Sequence, residues 1–287
     1  MTLSGQRIKD YLVGAFLAQG TTGDIYQARS PQGTQVAMKV LNSKLAEDGE
    51  FQRRFLREIR LTQVVQHEGV VPILDYGYEN NVLFLVTKLI HGPSLQEKMK
   101  RTPPSLEEVR HILHDIAPAL HAGHEQDIIH RDIKPSNILY DEIEKKYYLA
   151  DFGFSKRPGI DETLTEAGIV VGTPYYISPE AIMGEPLGPY SDVYSFAVMV
   201  YELLVGVLPF QHNKLYQISM AHLQLPPPRM IIHHPEFPPI IETVVMKGLA
   251  KKPAERYATM PDFAHNYGAA LEQLPPETWN KVFWKTH

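Results

Sequence analysis

The stretch that decides the fold is IIHRDIKPSNILYD, Ile128 to Asp141. It sets His130, Arg131, Asp132, Lys134 and Asn137 close together, with apolar residues on both sides. Pro135 and Ser136 argue against a continuous helix. The run reads as a polar loop braced by apolar anchors. Two more unusual runs follow it. KKYYLADFG, Lys145 to Gly153, places Asp151 just after a short strand, and GTPYYISPE spans Gly172 to Glu180. Upstream lie QVAMKV, Gln35 to Val40, and FLREIRL, Phe55 to Leu61.

The bulk composition limits what these runs can mean. The chain has 287 residues, 44% hydrophobic and 21% charged, an ordinary globular balance long enough to bury a real core. Lys plus Arg is 28 against 33 for Asp plus Glu, a net charge of −5 that gives no sign of nucleic-acid or membrane-surface binding. The absence of cysteine excludes disulfides, thiolate metal sites and cysteine nucleophiles. The N-terminus, MTLSGQRIKDY, lacks a signal-peptide apolar core. No apolar run approaches the roughly 18 residues of a spanning helix. The expectation is a soluble, cytoplasmic chain with no membrane segment of its own.

Periodicity divides the chain in two. Tyr11–Ala18, Gly23–Ala28 and Gln35–Leu41 read as strands, with turns at Gly20–Gly23 and Ser30–Gly33. Glu50–Gln66 repeats Phe51, Phe55, Leu56, Ile59, Val64 and Val65 at helical spacing. Val70–Tyr78 and Val82–Leu89 return to strand character around a Glu79-Asn80-Asn81 turn. From Ser94 the pattern is largely helical. Ser105 caps a helix to about His124, with a kink expected at Pro118. Ser191–Val207, Ile240–Leu249 and Met260–Leu274 read as further helices, and the Pro-rich Leu223–Met230 as a loop. This predicts an α+β, bilobal chain: a small β-rich lobe over residues 1–88 and a mainly helical lobe over 89–272. Residues 273–287 form a tail whose partner the pattern leaves open. The join lies near Lys88–Gly92, and ligand sites often sit at such junctions.

Taken in order, these runs resemble the signature set of protein kinases, most closely the bacterial relatives of eukaryotic (Hanks-type) Ser/Thr kinases. QVAMKV is similar to the V-A-I-K strand, FLREIRL to the αC helix, and the Ile128–Asp141 run to the catalytic loop. SDVYSFAVMVYELLVGVLPF, Ser191–Phe210, resembles helix F, and AKKPAERY, Ala250–Tyr257, the late Arg motif. The match covers roughly residues 8 to 270. Alone, Lys39 reads as a strand lysine, Glu58 as a helix-face charge and Asp151 as a turn residue. Together, the resemblance gives them roles in ATP-dependent phosphoryl transfer, which needs charge neutralised and groups aligned.

The resemblance implies that Lys39 holds the α and β phosphates of ATP and that Glu58 pairs with Lys39. Asp151 and Asn137 bind Mg2+ (or Mn2+), for which hard oxygens are suited. Asp132 orients the substrate hydroxyl, and Lys134 steadies the transferred group and marks Ser/Thr specificity. LAQGTTGDIY, Leu17–Tyr26, resembles the Gly-rich phosphate loop, with Gly20 and Gly23 as its second and third glycines and Ala18 replacing the first. A working cradle is expected, with the Ala18 methyl harmless if its φ is negative. Leu17, Ile25, Ala37 and Leu139 are expected around adenine. Thr87 would be the gatekeeper and Lys88, Leu89 and Ile90 the hinge. Thr62 places a hydroxyl where relatives stack apolar groups.

His130, Asp192 and a Glu180–Arg256 pair are expected to be structural, with His130 under the Phe152 ring. Arg131 would read a phosphate on the activation segment, about Asp151–Glu180. Thr165, then Thr163, are the candidate acceptors, and Thr173 would bond Asp132. The plain alternative is that LTEAG is simply an acidic loop. The implied partners are Ser/Thr-bearing proteins and, for autophosphorylation, a second copy of the chain. The competing class is a pseudokinase, a nucleotide-binding scaffold. Lys39, Glu58, Asp132, Asn137 and Asp151 are all present, which argues for an enzyme.

Overall fold

The computed structural model describes residues 3–20, 23–151 and 174–286. The chain divides into two compact units, Met1–His91 and Gly92–His287, so the division falls inside the Lys88–Gly92 stretch.

The first unit is a six-stranded antiparallel sheet in the order β1-β2-β3-β4-β6-β5. Its strands are β1 (Arg7–Ile8), β2 (Tyr11–Gln19), β3 (Gly23–Arg29), β4 (Gln35–Leu41), β5 (Ile73–Glu79) and β6 (Val82–Lys88). The β5–β6 turn puts both Asn80 and Asn81 at positive φ, 50° and 62°, as a two-residue hairpin with the sheet's twist requires. Alternation sorts the side chains between faces. Val36, Met38 and Val40 of β4 face a core shared with Val13, Tyr26, Ala28, Phe84 and Val86. The residues between them, Ala37 and Lys39, therefore face the other way.

Two helices join β4 to β5: α1 (Ser43–Glu47), which no sequence signal marks, and α2 (Gly49–Thr62). The Asp48 carboxylate caps α2, accepting from the backbone of Glu50 at 2.9 Å and Phe51 at 3.1 Å. Phe51, Phe55 and Ile59, four residues apart, form its buried face. α2 ends four residues before the expected Gln66. β-branched Thr62, Val64 and Val65 disfavour a further helical turn, and the Thr62 hydroxyl bonds back to the Glu58 and Ile59 carbonyls at 3.1 Å. That polar group is thus satisfied within the helix.

The second unit contains α3 (Leu95–Arg101), α4 (Leu106–His124), the two-stranded sheet β7 (Ile138–Asp141) and β8 (Lys146–Leu149), and α5 (Pro179–Met183). There follow α6 (Pro189–Val205), α7 (Leu215–Gln224), α8 (Met230–His233), α9 (Pro239–Gly248), α10 (Met260–Glu272) and α11 (Pro276–Trp279). Ser105 caps α4 as expected, accepting from Glu108 N at 3.2 Å, and α4 continues through Pro118 as one element. α7 and α8 take up both ends of the expected Leu223–Met230 loop. No helix among the described residues is long and apolar enough to cross a membrane.

α6 is the core of this unit, buried from Ser191 to Tyr201 and again from Leu203 to Val205. A buried helix must still satisfy its last carbonyls. Gly206, at φ 78°, turns back to donate to Glu202 O at 2.8 Å. Trp284 Nε1 donates to Leu203 O at 2.8 Å and His234 Nε2 to Val205 O at 3.3 Å. Phe283 is buried against Phe237, ring centroids 4.7 Å apart. Trp279 bonds Leu274 O at 3.2 Å under the Arg110 guanidinium. The tail therefore folds onto the second unit, closing the end of its central helix.

Candidate active site

In the second unit, the loop between α4 and β7 is built from its backbone outward. Arg131 is held in the left-handed region at φ 67°, a conformation a non-glycine residue keeps only when its surroundings fix it. Asp192 of α6 supplies the fixing. Its buried carboxylate accepts from His130 N at 2.9 Å, Arg131 N at 3.0 Å and His124 Nε2 at 2.8 Å. His130 is fully buried. Its Nε2 donates to Ala150 O at 3.0 Å, so Nδ1 is left to accept from Asp132 N at 3.3 Å. Burial holds its pKa below the ordinary value, against the pull of Asp192, and keeps the ring neutral. Both residues are structural here, as the sequence implied; the Phe152 ring lies outside the described residues.

The candidate side chains stand on that frame. Asp132 Oδ2 accepts from Lys134 Nζ at 2.7 Å and from Asn137 Nδ2 at 2.9 Å. Asn137 Nδ2 also donates to Asp132 O at 2.7 Å. A one-turn 3-10 helix, Pro135–Asn137, folds the loop so that residues 132 and 137 meet. With its amide nitrogen committed to Asp132, Asn137 keeps Oδ1 as its acceptor oxygen. Ala150 N donates to Asn137 O at 2.9 Å, so Asp151, the next residue, is tied beside Asn137. Asp151 is also left-handed, at φ 57°. Leu139 lies on β7, paired with Tyr148.

The expected Glu180–Arg256 pair is present. Arg256 Nη1 and Nη2 reach Glu180 Oε1 and Oε2 at 2.7 and 2.9 Å, both residues buried. Burial alone would raise the Glu180 carboxyl, but the Arg256 bonds outweigh it and hold the pKa below the ordinary value. Nearby, Tyr176 donates to Glu202 Oε2 at 2.5 Å, and burial raises the Glu202 carboxyl.

In the first unit, strand register gathers the expected residues on one face. Ile25 pairs with Lys39, and Lys39 with Leu85; Ala37 pairs with Thr87. Paired residues in an antiparallel sheet share a face, so Ile25, Ala37, Lys39 and Thr87 stand together, opposite the core. Glu58 is half-buried on α2. Ala18 lies in extended backbone on β2, opposite Ile25, so its methyl meets no backbone strain. Gly20 N donates to Gly23 O at 2.8 Å. Gly23 has a steric requirement of its own, since a Cβ there would lie 2.1 Å from Val40 O. Leu17 is exposed on β2, and Lys88 closes β6 with its N–H on Pro72 O at 3.0 Å. Leu89 and buried Ile90 follow. Thr163, Thr165 and Thr173 lie outside the described residues.

Sequence reasoning missed His124, which braces Asp192, and Tyr147, which bonds Asp115 and Glu108 of α4. The His124 signal was its place near the end of α4, just ahead of the Ile128–Asp141 run. Tyr147 had only its neighbourhood to Asp151.

Residues 11–267 match the family model described as the protein kinase domain. Serine/threonine-protein kinase PknA of Mycobacterium tuberculosis (strain ATCC 25618 / H37Rv) is 35% identical over 272 residues, 92% of this chain and 61% of that protein. Serine/threonine-protein kinase PrkC of Bacillus subtilis (strain 168) is 32% identical over 273 residues, 94% of this chain and 42% of that protein. The chain thus spans about three fifths or less of these relatives' lengths. The crystal structure of the Mycobacterium tuberculosis PknI kinase domain superposes with a TM-score of 0.76 at 26% identity, covering 94% of this chain and 100% of that one. With the catalytic loop built on Asp192, the Glu180–Arg256 pair in place and most of the sequence matched, the chain belongs to the protein kinase domain family.

Proposed function

We propose that the chain is the catalytic domain of a Ser/Thr protein kinase. It transfers the γ-phosphoryl of ATP to hydroxyls of protein substrates and acts on the cytoplasmic side, where ATP is at hand. The observation that carries this reading is the Asp132 carboxylate, gripped by Lys134 and Asn137 within one loop. In that position Asp132 can accept the hydrogen bond of an incoming Ser or Thr hydroxyl and align its oxygen. Lys134, bonded to the same carboxylate, presents a positive charge where the transferred group gathers negative charge.

A metal fits the residues present. Asn137 offers Oδ1 and Asp151 a carboxylate, the hard oxygens that Mg2+ or Mn2+ prefers. Among the described residues no group of three or more His, Asp or Glu could hold a metal alone, which suits an ion shared with nucleotide phosphates. When bound, the ion would neutralise phosphate charge. In the first unit Lys39 would hold the α and β phosphates, with Glu58 fixing it. The backbone at Gly20 and Gly23 would cradle the phosphates, and Ile25, Ala37 and Thr87 would flank adenine with Leu17, Lys88, Leu89 and Ile90. In the second unit Leu139 would serve adenine as well. Arg131 would read a phosphate placed on Thr165, or Thr163, by a second copy of the chain.

The test is incubation of the purified chain with Mg2+ and ATP beside Asp132→Asn and Lys39→Met, with phosphosites mapped by mass spectrometry. Phosphate on Thr165 in the wild type alone is expected. Phosphate confined to other residues would overturn the Thr165 assignment. Nucleotide binding with no transfer to itself or to a generic Ser/Thr substrate would overturn the enzyme reading in favour of a pseudokinase.

A further inference from the structure

The β7–β8 hairpin carries Asn137 just before one strand and Asp151 just beyond the other. Its strands are only four residues long, and an isolated hairpin of that length is barely stable in water. It is held to the segment before α3 by Tyr140 N, which donates to Pro93 O at 3.0 Å, and by a Ser94–Leu139 bridge, and to α4 by Tyr147, which is 1% exposed. The Tyr147 N–H faces α4 and donates to Asp115 Oδ2 at 2.9 Å. The Tyr147 hydroxyl donates to Glu108 Oε1 at 2.5 Å. Glu108 and Asp115 are seven residues apart, two turns along the same face of α4. Between them His111 sets its ring edge-on to Tyr147, centroids 5.5 Å apart.

Each carboxylate is itself held. Asp115, 8% exposed, faces His111 Nε2 at 3.3 Å and His114 Nδ1 at 3.2 Å. Glu108 also bonds Lys98 Nζ of α3, and that ammonium lies 5.0 Å from the Tyr140 ring, which packs on Tyr147 at 4.8 Å. Burial and then Glu108 push the Tyr147 phenol up, so it remains a hydrogen-bond donor.

We propose that Glu108 and Asp115 form a positioning clamp on Tyr147 that sets Asn137 and Asp151 as metal ligands; the clamp rests on the reading above. An apolar contact would hold the hairpin without fixing its register, because the hydrophobic effect has no direction. Two hydrogen bonds from one helix, to the backbone and the side-chain tip of one residue, fix both its position and its rotation. From Tyr147 the constraint runs to the end of β8 and two residues beyond it to Asp151, and across the Tyr140 pairing to β7. The Ala150–Asn137 bond then closes the ends. Glu108 and Asp115 touch no substrate; they act through the hairpin, as partners behind metal ligands commonly do.

The experiment measures Mn2+ binding to the full chain by electron paramagnetic resonance, with a non-hydrolysable ATP analogue present, beside melting temperature and Mg2+-dependent phosphorylation. Tyr147→Phe removes one oxygen and Asp115→Ala one carboxylate. Each should weaken Mn2+ binding about tenfold, the lower end of such indirect effects. Asp115→Asn keeps an acceptor for the Tyr147 N–H and should restore most of the affinity. Unchanged Mn2+ affinity in Tyr147→Phe and Asp115→Ala, with only a lowered melting temperature, would overturn the clamp while leaving the kinase reading intact. A wild type that transfers no phosphate, yet loses Mn2+ affinity in both variants, would support the clamp and overturn the kinase reading.

Discussion

Lys134 and Asn137 both bond the Asp132 carboxylate, which on the proposed reading aims it at an incoming hydroxyl. Asp132→Asn keeps the shape and removes the charge. It should lower the phosphorylation rate by about 10²–10⁴-fold, the range for a positioned acid or base, with nucleotide affinity unchanged in a binding titration. His222 makes a different prediction. It is fully buried, with Tyr194 donating to its Nδ1 at 2.9 Å. Burial, then Lys251, lowers its pKa from the ordinary 6.5 to about 3. The unfolded imidazole takes up a proton near pH 6.5 and the folded one does not. The stability it contributes is therefore complete above pH 6.5 and is lost at about 1.4 kcal/mol per pH unit as the pH falls toward 3. His130 shifts in the same direction. Urea midpoints should fall steadily from pH 6.5 to 5, and His222→Gln should flatten that slope; an equal slope in the variant would contradict the assignment.

At the scale of elements, the β3–β4 pairing decides whether the Gly-rich loop sits correctly. Gly23→Ala drives a methyl into the Val40 carbonyl. It should cost about 1–3 kcal/mol, the usual range for overpacking, and weaken nucleotide binding, both readable in one thermal-shift titration. What the sequence disclosed at this scale follows from the kind of signal each element sends. The face shared by Ile25, Ala37 and Lys39 follows from a period of two, and the Phe51–Phe55–Ile59 stripe from a period near four. α1 is five residues long, too short to repeat anything. The end of α2 depended on a side-chain bond from Thr62, which no periodicity records. The Glu108–Tyr147–Asp115 contacts join residues more than thirty positions apart, and no motif marks any of the three. The Glu180–Arg256 pair is as distant, yet it was legible because motif order carried it, as was a structural role for Asp192, though not its partners.

For the whole molecule, bound nucleotide should act on folding by mass action. Mg·ATP at a hundred times its dissociation constant should stabilise the native chain by about 2.7 kcal/mol, and Lys39→Met should lose most of that gain. An equal gain in both proteins would place the nucleotide away from Lys39. The tail has a practical consequence of another kind. The family match stops at residue 267, and α10 at Glu272, so either point looks like a reasonable place to cut a recombinant protein. Cutting there discards Phe283 and Trp284. The Leu203 carbonyl then loses its donor and Phe237 its neighbour, both beside the helix that anchors the Asp132 loop through Asp192. A protein ending at residue 274 should melt several degrees lower than the full chain and expose an apolar face to dye binding. For this chain, a safe expression boundary or fusion joint lies beyond Trp284.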